Sequence, residues 1–147
     1  MRGVMRPEEA SSLSVVDRLT EGQLQDLHGL FRSEWWSNQR TLEETRKVVA
    51  GSQLCLGFVD STGTLVGFSR VLTDYIFKAL IFDVIVDPRY RGLGLGDRMV
   101  SLIMGHERLC GVKTFELYCL PELVPFYERH GFSDDVGKIR LMRHVVA

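Results

Sequence analysis

No run of this chain approaches the ~20 apolar residues that a membrane-crossing helix requires. The opening MRGVMRPEEA has no apolar core of the kind a secretory leader needs. Cysteine is scarce. Cys55, Cys110 and Cys119 are odd in number, widely spaced and without a CxxC pair, which argues against a disulfide framework and a zinc cluster. A reducing cytoplasm fits these absences best. Charge of one sign is not in excess either. Eighteen Lys and Arg against 19 Asp and Glu leave a net charge of -1, whereas a domain that lives on a phosphate backbone shows a basic surplus. Nucleic acid and membrane are therefore not expected partners, and only a local basic cluster for one small anionic ligand stays open. There is no internal repeat, no low-complexity run and no linker rich in Pro or Ser.

What is present is a globular composition, with 45% hydrophobic and 25% charged residues over 147 positions. That length predicts a single domain spanning 1–147, with residues 1–11 as a loose lead-in. A chain of this size buries roughly 70% of the surface its unfolded form exposes, enough for a core without staples. Residues 12–19 alternate in part and suggest a first strand. Leu24, Leu27, Phe31 and Trp35 fall on one face of a helix over 22–36. Thr41 and Glu44 match a capping box ahead of a second short helix that Gly51 ends. Residues 54–59 and 65–72 flank an Asp60-Ser61-Thr62-Gly63 turn and read as a hairpin. Strands are further predicted over 79–86, 114–119 and 139–146, with an extra short one near Phe132. Helices are predicted over 94–109 and 123–129, the second closed by Gly131 in a left-handed cap. The fold class is α/β in the mixed α+β sense, with antiparallel strands first and a crossover helix after Val86.

The strongest local signal follows the 79–86 strand. Asp87-Pro88 stops it, and Arg91-Gly92-Leu93-Gly94-Leu95-Gly96 leads into an amphipathic helix. Glycines let the backbone take positive φ and let a ligand approach closely. The unsatisfied amides of a helix start suit a phosphate, and Arg91 adds a charged donor. A P-loop would need Lys and Ser or Thr after the last glycine, where Asp97 and Arg98 stand. A dinucleotide fingerprint would need a third glycine at Met99.

Arg91-x-x-Gly94-x-Gly96, after a strand and opening a helix, resembles the Arg/Gln-x-x-Gly-x-Gly/Ala signature of the GNAT superfamily of acyl-CoA-dependent N-acetyltransferases. Phe126-Tyr127-Glu128-Arg129-His130-Gly131-Phe132 is similar to that family's late YEKxGF element, and the likeness covers roughly residues 12–146. Residues 82–88 look similar to a narrower group that includes small bacterial members and plant chloroplast enzymes acetylating serotonin or protein lysines. The resemblance implies a GNAT fold: a mixed, mostly antiparallel sheet of about six or seven strands with about four helices.

It also implies a reaction, the transfer of an acetyl group from acetyl-CoA, as co-substrate and without a metal, to an amine. The amides of 91–96 would hold the diphosphate. The pantetheine arm would run as an added strand along Val84, Ile85 and Val86, where a main-chain amide would polarise the thioester carbonyl. Tyr127 matches the family tyrosine that protonates the departing thiolate, and a phenol with pKa ~10 is neutral at pH 7 and able to donate. The Asn that many members carry seven residues earlier is Leu120 here, which leaves more of the arm to the backbone or to Tyr118.

Asp83 stands out on its own residues, because a carboxylate inside an apolar strand is costly unless paired. It is a candidate ammonium anchor or base, or else one half of a structural ion pair. Glu116 and Tyr118 alternate along their strand and share one face, Tyr118 toward the acceptor. Trp35 and Trp36 precede the connection that overhangs the acceptor in this fold, and Tyr75 and Phe77 are the opposite candidate wall. The acceptor expected from these features is a small-molecule primary amine. A protein lysine or N-terminus is the alternative, and a non-catalytic acyl-CoA-binding module the third reading. Homodimerisation is an expectation drawn from the family and from the apolar pair Val145-Val146.

Overall fold

The computed structural model describes residues 3–146. They form two compact units, Met1–Leu117 and Tyr118–Ala147. The first holds one five-stranded sheet in the order β1-β2-β3-β4-β5. Its strands are β1 (Ser14–Val16), β2 (Leu54–Val59), β3 (Leu65–Thr73), β4 (Lys78–Val86) and β5 (Thr114–Leu117). Neighbours are antiparallel except β4 and β5, which are parallel because α4 (Leu95–Met104) carries the chain between them.

Two helices, α2 (Glu21–Arg32) and α3 (Leu42–Ala50), lie against one face. Leu27, Leu30 and Phe31 of α2 meet Cys55, Val59, Leu65, Phe68 and Ile85, with Val48 and Val49 of α3 at the margin. Strand alternation turns Phe58 to the other face, where Arg98 of α4 stacks on its ring at 5.0 Å. Leu95, Met99, Val100 and Ile103 form the buried stripe of α4, at the spacing an amphipathic helix requires. Both α2 and α3 start on a capping box. Thr41 Oγ1 accepts from Glu44 N and Glu44 Oε1 accepts from Thr41 N, as its sequence predicts, and Thr20 with Gln23 does the same.

Several elements depart from expectation. Residues 7–11, expected as a loose lead-in, form a short helix, α1 (Pro7–Ser11), in which Pro7 opens the first turn. Helix α2 stops at Arg32 rather than 36. Ser33 and Ser37 hydroxyls donate to the carbonyls of Leu30 and Phe31, so the terminal acceptors are satisfied early and Trp35 and Trp36 fall in the following turn. Helix α4 stops at Met104 on Gly105, and His106 Nδ1 then accepts from Arg108 N to start a separate 3-10 turn.

The second unit contains a 3-10 turn (Pro121–Leu123) and α5 (Val124–Glu128). Gly131 closes it at φ 88, as expected. The strands expected over 139–146 and near Phe132 are not formed. A strand needs a neighbour for its ladder, and among the described residues this unit has no strand to supply one. The sheet therefore has five strands instead of six or seven, and α1 brings the helices to five. Among the described residues no helix is long and apolar enough to cross a membrane.

Candidate active site

The glycine loop has the geometry its composition suggests. Gly92 and Gly94 take φ of 77 and 78, a left-handed region that costs an L side chain roughly 1–2 kcal/mol. Gly94 is the N-cap of α4 and contributes no side-chain cap. The first bond into the helix is Arg98 N to Gly94 O, at 3.0 Å, so the amides of Leu95 and Gly96 lie ahead of it without an intrahelical partner. A Cβ built at Gly92 or Gly94 meets nothing within 4 Å, so the loop backbone faces open space. A hollow of ≈ 360 Å³ lies there, walled by Gly92–Leu95, Arg98 and Pro7, Ala10 and Ser11 of α1. These features fit a diphosphate: converging amides, a helix N-terminus and no side chain in the way. Arg91 is already engaged. Its Nη2 pairs with Glu34, and its Nε donates to Val86 O at 3.4 Å. A larger hollow of ≈ 480 Å³ between β1 and α4 contains none of these groups.

Beside the loop, β4 breaks its register. Phe68 pairs with Ile85 and Arg70 with Phe82, so Ser69 faces two residues, Asp83 and Val84. This is a β-bulge. Asp83 adopts φ 57 within it, and Ser69 Oγ donates to Phe82 O at 2.9 Å. The parallel ladder to β5 ends just before, at Ile81 and Leu117. Beyond it, Asp87 N donates to Val66 O near the start of β3. The trans peptide therefore turns Val86 O to the opposite side, away from β3. Strand alternation gives Val84 the same orientation, while the Ile85 side chain enters the core. Bulge and ladder end together leave Val84 and Val86 with backbone groups turned away from β3, on the side that β5 has left.

The Asp83 carboxylate is not free. Arg40 grips it through both terminal nitrogens, Nη1 to Oδ2 at 2.8 Å and Nη2 to Oδ1 at 3.1 Å. Arg70 Nε donates to Oδ2 at 2.6 Å. Of the roles open to Asp83 in the sequence, the ion pair is the one realised in this geometry. Arg40 in turn stacks over Phe31 at 4.5 Å and lies 5.5 Å from the Trp36 ring, and its carbonyl accepts from His28 Nε2 at 3.0 Å. Replacing Asp83 by Asn removes the charge that both guanidiniums share. It is expected to cost about 2–3 kcal/mol in chemical denaturation, below the range for a fully buried pair because Arg40 is partly exposed. A loss under ~0.5 kcal/mol would show that the clamp does not hold the bulge.

The four aromatic wall candidates separate. Trp36 packs edge-on against Phe31 at 6.3 Å and joins the Arg40 cluster, whereas Trp35 is 69% exposed. Tyr75 and Phe77 sit at the β3–β4 hairpin tip. There Asp74 Oδ1 accepts three successive amides and Arg108 donates to the Tyr75 hydroxyl at 2.6 Å. At about 3.3 Å per residue the tip stands roughly 20 Å along β4 from Asp83, so the structure does not bring these two rings to the cluster. Glu116 pairs with Lys78.

In the second unit, Tyr127 lies on α5. Phe126 meets its ring edge-on at 4.8 Å and Phe132 at 6.0 Å, and Phe132 N donates back to Tyr127 O. Burial, helped by the Cys119 thiol, pushes the Tyr127 phenol up to about 12. Tyr118 follows directly after β5 and is exposed. Leu120 caps the 3-10 turn instead of offering a side-chain amide.

The acetyltransferase (GNAT) family model matches residues 21–132, which include α2, the bulged strand, the glycine loop and Tyr127. The chain belongs to the GNAT acetyltransferase family. It is an N-acetyltransferase of that family, whose members use acetyl-CoA. Its relatives include the uncharacterized N-acetyltransferase ycf52 of Pyropia yezoensis, 30% identical over 122 residues that make up 81% of this chain and 70% of that one. Serotonin N-acetyltransferase 2, chloroplastic, of Oryza sativa subsp. japonica is 39% identical over 82 residues, 56% of this chain but only 41% of that protein. A GNAT-family protein of Xanthomonas campestris pv. campestris superposes with a TM-score of 0.77 at 28% identity, covering 91% of this chain and 93% of that one.

Sequence reading missed Arg40, Arg70, His28 and Glu34. Arg70 was within reach of it. A charge inside the apolar run Leu65–Leu72 raises the same question as Asp83, and two such charges on paired strands answer each other. Arg40 comes from a connection with no motif, and nothing in its neighbours marks it.

Proposed function

We propose that this GNAT enzyme transfers the acetyl group of acetyl-CoA directly to the primary amine of a small molecule. The observation that carries the reading is the coincidence, within one unit, of an uncapped glycine-opened helix with a strand that bulges where its neighbour leaves it. The first suits a diphosphate and the second an extended arm.

In this reading the amides of residues 92–96 hold the diphosphate, and Val84 and Val86 pair with the pantetheine arm. A main-chain amide at the bulge stabilises the oxyanion, often the largest catalytic term. The amine attacks the thioester carbonyl: a C–N bond forms, the C–S bond breaks, and the ammonium proton passes to solvent. Tyr127 gives its hydroxyl proton to the departing thiolate and is reprotonated, through water, by the second proton that the nitrogen sheds as the amide forms. Asp83 positions the bulge through Arg40 and Arg70 and is not itself assigned the proton transfer. Trp36 walls the acceptor side. Residues 1–147 act as a single acetyltransferase domain.

Thiol release tests the reading. Polyamines, arylalkylamines, amino acids and lysine peptides are each offered with acetyl-CoA, and the expected result is one preferred small amine. Turnover confined to lysine peptides would transfer the reading to protein acetylation. Acetyl-CoA binding without thiol release from any amine or protein acceptor would favour a regulatory module.

A further inference from the structure

The cluster at the bulge holds more positive charge than its own carboxylate cancels. Arg40 and Arg70 converge on Asp83 alone. The other carboxylates nearby are committed. Glu44 caps the Thr41 amide at the start of α3 and its charge reaches Arg40 only at a distance, without an ion pair among the described residues, and Glu34 pairs with Arg91. The bridge is only partly open to water: the side chains of Asp83, Arg70 and Arg40 are 5%, 13% and 25% exposed. A surplus cation there is screened far less than one on the surface.

The guanidiniums also keep donors to spare. Arg40 spends its two terminal nitrogens on Asp83, so its Nε edge remains, and that edge is one of the faces that match a planar oxyanion. Arg70 uses Nε on Asp83 and reaches Ser52 Oγ with Nη1 at 3.5 Å. Its Nη2 has no hydrogen-bond partner among the described residues. Arg40 is held in place by Phe31 on its face and Trp36 beside it, so little entropy is lost when it engages a ligand. Asp83 is adjacent to Val84, which the proposed function assigns to the thioester arm, so a group bound here sits beside the reacting carbonyl.

We infer that the acceptor carries, beside its amine, an oxyanion, carboxylate or phosphate, which Arg40 and Arg70 recognise. The inference rests on the acetyl-transfer reading and narrows it. A polycation would meet the surplus charge and be disfavoured.

The test uses matched acceptors with the whole chain. These are tyramine against tyrosine, ethanolamine against phosphoethanolamine, and spermidine, each read by thiol release, with acetyl-CoA affinity measured separately by calorimetry. The anionic member of a pair is expected to lead in kcat/KM by about tenfold or more, and added salt should shrink the lead. The tyrosine and phosphoethanolamine arms separate carboxylate from phosphate. Arg40→Gln is expected to reduce the anionic-to-neutral ratio about tenfold, with Arg40→Lys between it and the parent, because a point charge replaces the fork. If Arg40→Gln does not fold, the salt dependence of the parent chain decides. If no amine turns over, calorimetric titration with inorganic phosphate and with N-acetylglycine, each with the chain already saturated with coenzyme A so that the glycine loop is filled, replaces turnover, and binding that weakens with salt and is lost in Arg40→Gln supports the inference. Equal or better turnover of the neutral members, or no binding of either probe, overturns it while tight acetyl-CoA binding leaves the transferase reading standing. Absence of acetyl-CoA binding would remove that reading, and this inference with it.

Discussion

Acetyl-CoA affinity is expected to fall by about a hundredfold or more in Gly94→Trp, to the point where calorimetry registers no binding, because the substitution acts on the diphosphate twice. An L residue at φ 78 strains the N-cap and tilts the amides that follow. The indole then fills the space that a Cβ at this position enters without meeting any atom. That open space is also why the variant should fold. Gly94→Ala separates the two effects, since it carries the strain without the bulk. It is expected to lower stability by about 1 kcal/mol and to keep most of the affinity. Unchanged acetyl-CoA binding in Gly94→Trp would remove the loop from the site.

Tyr127→Phe is expected to lower kcat about tenfold or more while KM for acetyl-CoA changes little, as befits a group whose contribution is made in the transition state. The hydroxyl is the only atom removed, and the edge-on contacts with Phe126 and Phe132 survive in the variant. The pH profile provides an independent check. Burial raises the phenol to about 12, so Tyr127 keeps its proton throughout the usual assay range. Activity should rise as the acceptor ammonium deprotonates and should not fall again until the pH nears the raised phenol value. A descending limb near pH 9–10, at the unperturbed phenol value, would contradict an acid held protonated by burial, and wild-type turnover in Tyr127→Phe would remove the residue from the mechanism.

The glycine loop was legible because it is local. Positive φ, a helix start and a following apolar stripe all lie within about ten consecutive residues. The capping box at Thr41 and the left-handed closure at Gly131 were legible for the same reason. What pattern reading did not reach was tertiary. Asp83 was recognisable as a problem, but its solution comes from Arg70 on the neighbouring strand and from Arg40 in a connection 43 positions away. The bulge itself is a property of two strands in register and cannot be read from either alone. The opposite error occurred at 139–146. Residues 139–146 are mostly apolar, with Ile139, Leu141, Met142, Val145 and Val146, and suggest a strand, yet a strand exists only where a partner takes its ladder. Trp35 and Trp36 show a finer limit. Helical spacing put Trp35 on the core face, but two serine hydroxyls end α2 first, and Trp36 is the ring that packs.

The most direct test of the account is calorimetric titration of the whole chain with acetyl-CoA, set beside the same titration with S-acetylpantetheine, which carries the thioester arm but no diphosphate. Tight, saturable binding of acetyl-CoA at one site per chain, with a large loss for the truncated compound, is the result expected if residues 92–96 cradle the diphosphate. No binding of acetyl-CoA, or equal binding of both compounds, would contradict it.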